Sequence, residues 1–197
     1  MNIFDRVHTL TRTLLHPHLA SPDTIPEHAP SSVADDECAV ATHLNLGQAL
    51  ARQGDYAGAL AAYDAALALD PRLSEVYLCR GMAHLECSAV NDAIADFNSA
   101  LYHNPELSSA LVQRGRASLA LDNHRAAVID CSAALRANPR NLAAYRFRAE
   151  AHAVAGNLRG AAADYTAYLR LSGNLTICDR AEIETRLACL RQQIAVN

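Results

Sequence analysis

Apolar residues recur along most of this chain at helical intervals, and the helices they imply come in pairs. Leu46 and Leu50 fall on one face ahead of a Gly54-Asp55 break. From about Tyr56 a second run, Ala59, Leu60, Tyr63, Ala66 and Leu67, keeps the helical spacing until Asp70-Pro71. Gly-Asp favours a turn and proline cannot continue a helix, so the stretch predicts a helical hairpin. The hairpin then returns at intervals of 34 residues. Gly47, Gly81, Gly115 and Ala149 share one register, and Ala59, Ala93, Ala127 and Ala161 share a second. Tyr63, Phe97, Cys131 and Tyr165 form a third, Ala66, Ala100, Ala134 and Tyr168 a fourth, and Pro71, Pro105, Pro139 and Gly173 a fifth. Each register has a packing reason. Small residues let the two helices approach, the larger one fills the gap beside them, and proline ends the second helix. In the fourth unit Gly173 stands in as a helix C-cap.

The two ends break the period. Residues 178–195 read as one more helix, started by an Asp179-x-x-Glu182 capping box, with Ile183, Leu187, Leu190 and Ile194 on its apolar face and Arg186, Arg191 and Gln192 toward water. It is expected to cover the open end of the last unit, with Tyr168 packed against it. At the other end, Pro22, Pro26 and Pro30 among Ser, Asp and Glu mark residues 20–37 as a flexible linker. Ahead of it, Ile3, Val7, Leu10 and Leu14 predict a short amphipathic helix within residues 1–19, stopped at Pro17.

These in-phase residues resemble the tetratricopeptide repeat, with units at 40–73, 74–107, 108–141 and 142–175. The resemblance implies an all-α fold, a right-handed α-solenoid of helical hairpins over residues 38–197. It also implies a concave groove, lined by the first helix of each hairpin, that holds an extended or helical peptide. The matching positions are Leu44, Asn45, Gln48 and Arg52, then Leu78, Cys79, Met82 and Glu86, then Val112, Gln113 and Arg116, and finally Arg146, Phe147 and Glu150. The leucines among them read equally as packing between units. Family members that grip acidic chaperone tails use a Lys, Asn, Asn, Lys and Arg clamp. The corresponding positions here hold Leu44, Gln48, Cys79, Ser109 and Gln113, so that ligand is disfavoured.

Composition narrows the function. At 197 residues and 51% apolar the chain can bury one sizeable core, and a net charge of −4 does not suggest a nucleic-acid binder. All 17 basic residues are arginine, which removes mechanisms that need a lysine. The charge is uneven: residues 1–107 carry 5 Arg against 14 acids, and residues 108–175 carry 9 against 4. The first half of the groove is thus expected to be largely apolar and the second to offer arginine. Cys38, Cys79, Cys87, Cys131, Cys178 and Cys189 form no C-x-x-C pair, which fits a reducing, cytoplasmic setting. Asp5, Arg6, His8 and Arg12 interrupt any export signal, and no apolar run is long enough to span a membrane.

No catalytic constellation or cofactor motif is read, and His16, His18 and His28 lack the fixed spacing of a metal site. Cys131 fills an aromatic slot and is expected in the core, and His84 and His152 occupy equivalent slots. Arg80, Arg114 and Arg148 each precede Asp96, Asp130 and Asp164 by 16 residues, whereas the first unit has Leu46 and Ala62. Their joint presence and joint absence predict an ion pair inside each hairpin. The reading that follows is an adaptor or assembly factor for a protein or peptide partner. Its alternative is a self-associating or secretion-type chaperone whose N-terminal helix forms a homodimer or occludes the groove.

Overall fold

Helices stand where the periodic pattern places them. The computed structural model describes residues 33–173 and 177–196, and all regular structure among these is helical. The elements are α1 (Val33–Gln53), α2 (Tyr56–Leu69), α3 (Ser74–Glu86), α4 (Val90–His103), α5 (Ser108–Ala120), α6 (His124–Ala137), α7 (Leu142–Val154), α8 (Leu158–Leu171) and α9 (Ile177–Val196). Consecutive pairs form four hairpins, stacked as a right-handed α-solenoid. No helix among the described residues is long and apolar enough to cross a membrane.

Local chemistry sets the boundaries. The turn inside each hairpin passes through the left-handed region once, at Gly54 (φ 82°), Ser88 (φ 61°), Asp122 (φ 56°) and Gly156 (φ 78°). Three of the second helices then open on a side-chain cap: Asp55, Asn123 and Asn157 accept from the N–H of Gly58, Ala126 and Gly160. At the far end Asp70, Asn104 and Asn138 cap α2, α4 and α6 by donating their backbone N–H to the carbonyls of Ala66, Ala100 and Ala134, and their side chains accept from the N–H two residues on, across the proline.

The small and large registers meet as their sizes require. A Cβ added to Gly47 would lie 2.5 Å from the Tyr63 ring, one on Gly81 2.6 Å from Phe97, and one on Gly115 2.9 Å from the Cys131 sulfur. Ala59, Ala93, Ala127 and Ala161 are fully buried where the helices cross. Ala93→Leu is therefore expected to lower stability by ~1–3 kcal/mol through overpacking, and an unchanged melting curve would contradict this register.

The three predicted arginine–aspartate pairs form, and each is bidentate. Nε and Nη2 of Arg80, Arg114 and Arg148 donate to the two oxygens of Asp96, Asp130 and Asp164 over 2.6–2.9 Å. The sequence did not reveal the third arm. Nη1 of each arginine donates to the preceding hairpin's second helix, on Asp64, Asn98 and Ser132. One guanidinium thus fastens a hairpin internally and ties it to its neighbour.

At the C-terminal end, Ile183, Leu187 and Leu190 of α9 are buried against Ala149, Ala161 and Tyr165, and Tyr168 packs on the same cluster. Arg186, expected to face water, is exposed but also reaches Glu150 of α7 at 3.5 Å. Three boundaries need correction. Helix α9 runs from Ile177 to Val196, one residue beyond the expected 178–195 at each end, because neither Ile177 nor Cys178 breaks a helix. Ser172, rather than Gly173, caps α8, and the left-handed C-cap expected of Gly173 is absent. Helix α1 begins at Val33, so residues 33–37, expected as linker, are helical. No proline follows Pro30 until Pro71, and nothing there stops the helix. The amphipathic helix expected in residues 1–19 and the rest of the linker lie outside the described residues.

Candidate functional site

The first helices of successive hairpins lie side by side, α3 against α5 and α5 against α7, and give the solenoid a continuous face. Among the described residues it holds a cleft of about 480 Å³ where α1, α2 and α3 meet. Five expected groove residues line it: Gln48 and Arg52 from α1, and Cys79, Met82 and Glu86 from α3. Ala51, Ala83, Tyr56 and Tyr63 complete the wall. The two tyrosines were missed as lining residues because they come from the start and middle of the second helix. Tyr63 had been read only as filler, yet it also lines the cleft.

Chemistry in the cleft follows from burial. Desolvation pushes the Tyr63 phenol up to about 12, with a further push from neighbouring Cys79 and a smaller opposing pull from Arg52. Burial likewise raises the Cys79 thiol, against a hydrogen bond from Gln48, whose Nε2 donates to the sulfur over 3.8 Å. Both groups stay neutral near pH 7 and act as apolar surface with a polar edge. Cys131, fully buried in its slot, is raised to about 12 by burial first and by Asp130 second.

Native proteins with such raised acids hold protons that the unfolded chain releases near pH 9–10. The stability they contribute is complete below that range and disappears as pH climbs toward about 12. Unfolding midpoints measured in urea are expected to fall across pH 9–12. The slope should be shallower in Cys131→Ala, and an equal slope would assign the effect elsewhere.

The remaining expected groove positions divide. Asn45 is exposed, while Leu44 is half-buried against the core of the first two hairpins. Leu78 packs on the Ala93, Phe97 and Ala117 cluster, and Phe147 on the cluster of the third hairpin. Val112 needs correction: at 2% exposure it is core, turned into the contact between α5 and its neighbours, and it offers nothing to a ligand. Gln113 is half-buried and its Oε1 has no hydrogen-bond partner among the described residues.

The arginines expected of the second half are present and exposed, each with an acid beside it. Arg116 pairs with Glu86 of the preceding hairpin at 3.3 Å, and Arg146 pairs with Glu150 at 3.2 Å. Both guanidiniums thus have an acid in bridging distance, Arg146 sharing Glu150 with Arg186. Arg52 is exposed and has no ion pair among the described residues. His84 and His152 both fall in the last turn of a first helix. The former lies 3.7 Å from Asp96 and the latter faces Asn157. Among the described residues no three His, Cys, Asp or Glu side chains gather in a metal-holding group, and His16, His18 and His28 lie outside them.

Comparison with known proteins agrees with this geometry. No curated protein matches the chain at significance. A thermophilic TPR protein of Thermus thermophilus superposes with a TM-score of 0.64 at 23% identity, over 79% of this chain and 82% of its own. YrrB, a TPR protein with an unusual peptide-binding site, gives 0.64 at 20% identity over 78% and 76%. The first TPR of Spaghetti (RPAP3), bound to the HSP90 peptide SRMEEVD, gives 0.59 at 23% identity over 60% and 94%. Two family descriptions of the tetratricopeptide repeat match the sequence itself, one over residues 40–73 and one over residues 112–175. Helical hairpins with a 34-residue period and both sequence matches coincide, and the chain belongs to the tetratricopeptide repeat proteins.

Proposed function

We propose that this protein is a non-catalytic adaptor or assembly factor that holds a peptide segment of a partner protein along its inner face, anchored in the cleft between α1, α2 and α3. The cleft carries the reading. Exposed Met82 shares its lining with Ala51, Ala83 and Tyr63 and with polar Gln48 and Arg52, giving an apolar anchor site with polar edges, the usual make-up of a ligand pocket. Peptide binding by structural neighbours supports the class of ligand. The chaperone-tail clamp is replaced at every position, so the ligand recognised here has different chemistry. Free Cys38, Cys87 and Cys189 on the surface fit a reducing, cytoplasmic setting.

Affinity capture from cell extract with three baits tests the reading. Met82→Glu places a charge in the apolar anchor site, whereas Ile129→Glu alters an exposed apolar residue on the second helix of its hairpin. Proteins retained by the wild type and by Ile129→Glu but lost with Met82→Glu would support the cleft. Equal retention by all three baits would remove it.

A further inference from the structure

We propose that the cleft selects a peptide segment in which an acidic side chain lies close to a large apolar one, with Arg52 taking the carboxylate and Met82 the apolar group. The inference rests on the groove reading above and adds the chemistry of the ligand. Three observations carry it.

The arginines of the inner face are unequal. Arg116 and Arg146 are held by Glu86 and Glu150, whereas Arg52 stands at the cleft with no ion pair among the described residues. Glu86, the carboxylate on the opposite wall, is turned to Arg116 at 3.3 Å and does not neutralise Arg52. The charge left uncompensated in the cleft is therefore positive. Beside it, Met82 is 42% exposed, a flexible apolar side chain that adapts to whatever docks on it.

A docking segment would exclude water from Arg52. A guanidinium desolvated beside apolar walls needs an anionic partner, and an acid supplied by the ligand meets that need where a neutral residue would not. An acid within the chain fits better than a terminal carboxylate. The cleft lining has this one guanidinium, and its one side-chain amide, Gln48 Nε2, is already directed to Cys79. One donor group matches one side-chain carboxylate while the main chain runs on.

The test uses the full chain and a displayed library of random dodecapeptides as probe, selected in parallel on the wild type, Arg52→Glu and Met82→Glu. Wild-type selection should enrich peptides with Asp or Glu within a few positions of Leu, Ile, Met or Phe. Arg52→Glu should enrich basic residues at that place, and a wild-type peptide should bind it roughly tenfold more weakly. Arg52 is exposed, so its melting temperature should not move. Amidating the peptide C-terminus should leave affinity unchanged, and a loss would point to a terminal carboxylate and overturn the assignment. Peptides that require Met82 yet lack any acid, or an identical consensus from Arg52→Glu, would overturn the inference and leave the groove standing. Peptides indifferent to Met82, or no enrichment at all, would remove the groove reading and the inference with it.

Discussion

Phe97→Ala is expected to lower the unfolding free energy by about 3–5 kcal/mol, the usual cost of emptying a fully buried aromatic slot. Phe97 has no exposed surface and packs against Gly81, whose missing Cβ makes room for the ring. The reciprocal change should cost ~1–3 kcal/mol, because an alanine at position 81 would press its Cβ to within 2.6 Å of Phe97. Made together, the two should compensate. In the Phe97→Ala background the new methyl enters the vacated space, and alanine favours a helix interior over glycine by ~1 kcal/mol, so Gly81→Ala turns stabilising. A double-mutant cycle by urea unfolding measures the coupling. Strict additivity would show that the glycine and aromatic registers do not act on each other. The fourth hairpin already carries Ala149 against Tyr165, so its helices have settled around a Cβ that the second hairpin lacks room for.

What the sequence made legible was whatever the chain repeats in kind. The glycine, alanine and aromatic registers use one chemistry at one spacing, so their period exposes both the hairpins and their contacts. The arginine–aspartate pairs were readable for the same reason, since both partners recur and disappear together. Their third arm was not, because Asp64, Asn98 and Ser132 accept the same hydrogen bond with three different groups. The left-handed turns were partly legible: glycine marks Gly54 and Gly156, and Asp122 is of a type that tolerates the region, while Ser88 enters it with nothing in its identity to announce it. On the inner face the limit was direction. Val112 sits one position from half-buried Gln113, and that step, about 100° around the helix axis, decides between core and surface. The Glu86–Arg116 pair spans 30 residues, out of step with the repeat, so no register could foretell that Arg116 is taken and Arg52 is not.

Arg114→Ala is expected to be strongly destabilising, and more damaging than Asp130→Ala. The Asp130 side chain is 8% exposed and receives two hydrogen bonds from Arg114, at 2.8 and 2.7 Å. Without Arg114 its carboxylate stays buried with no counter-ion, a defect that typically costs about 3–5 kcal/mol. The opposite deletion is milder, because the Arg114 side chain is 28% exposed and can turn its charge toward water. Replacing both, Arg114→Met with Asp130→Leu, removes the buried charge along with its partner and should restore most of the loss. Chemical denaturation of the four proteins would read out this order. Equal losses for the two single changes, or a double variant as unstable as Arg114→Ala, would contradict a buried pair. Arg114 also donates to Asn98 at 2.8 Å, across the boundary between the second and third hairpins. Stability in a stacked array depends on such neighbour terms as well as on each unit. Arg114→Ala should therefore broaden the unfolding transition as well as shift it, and the apolar double variant, which lacks the Asn98 contact too, should recover the midpoint while keeping the shallower slope.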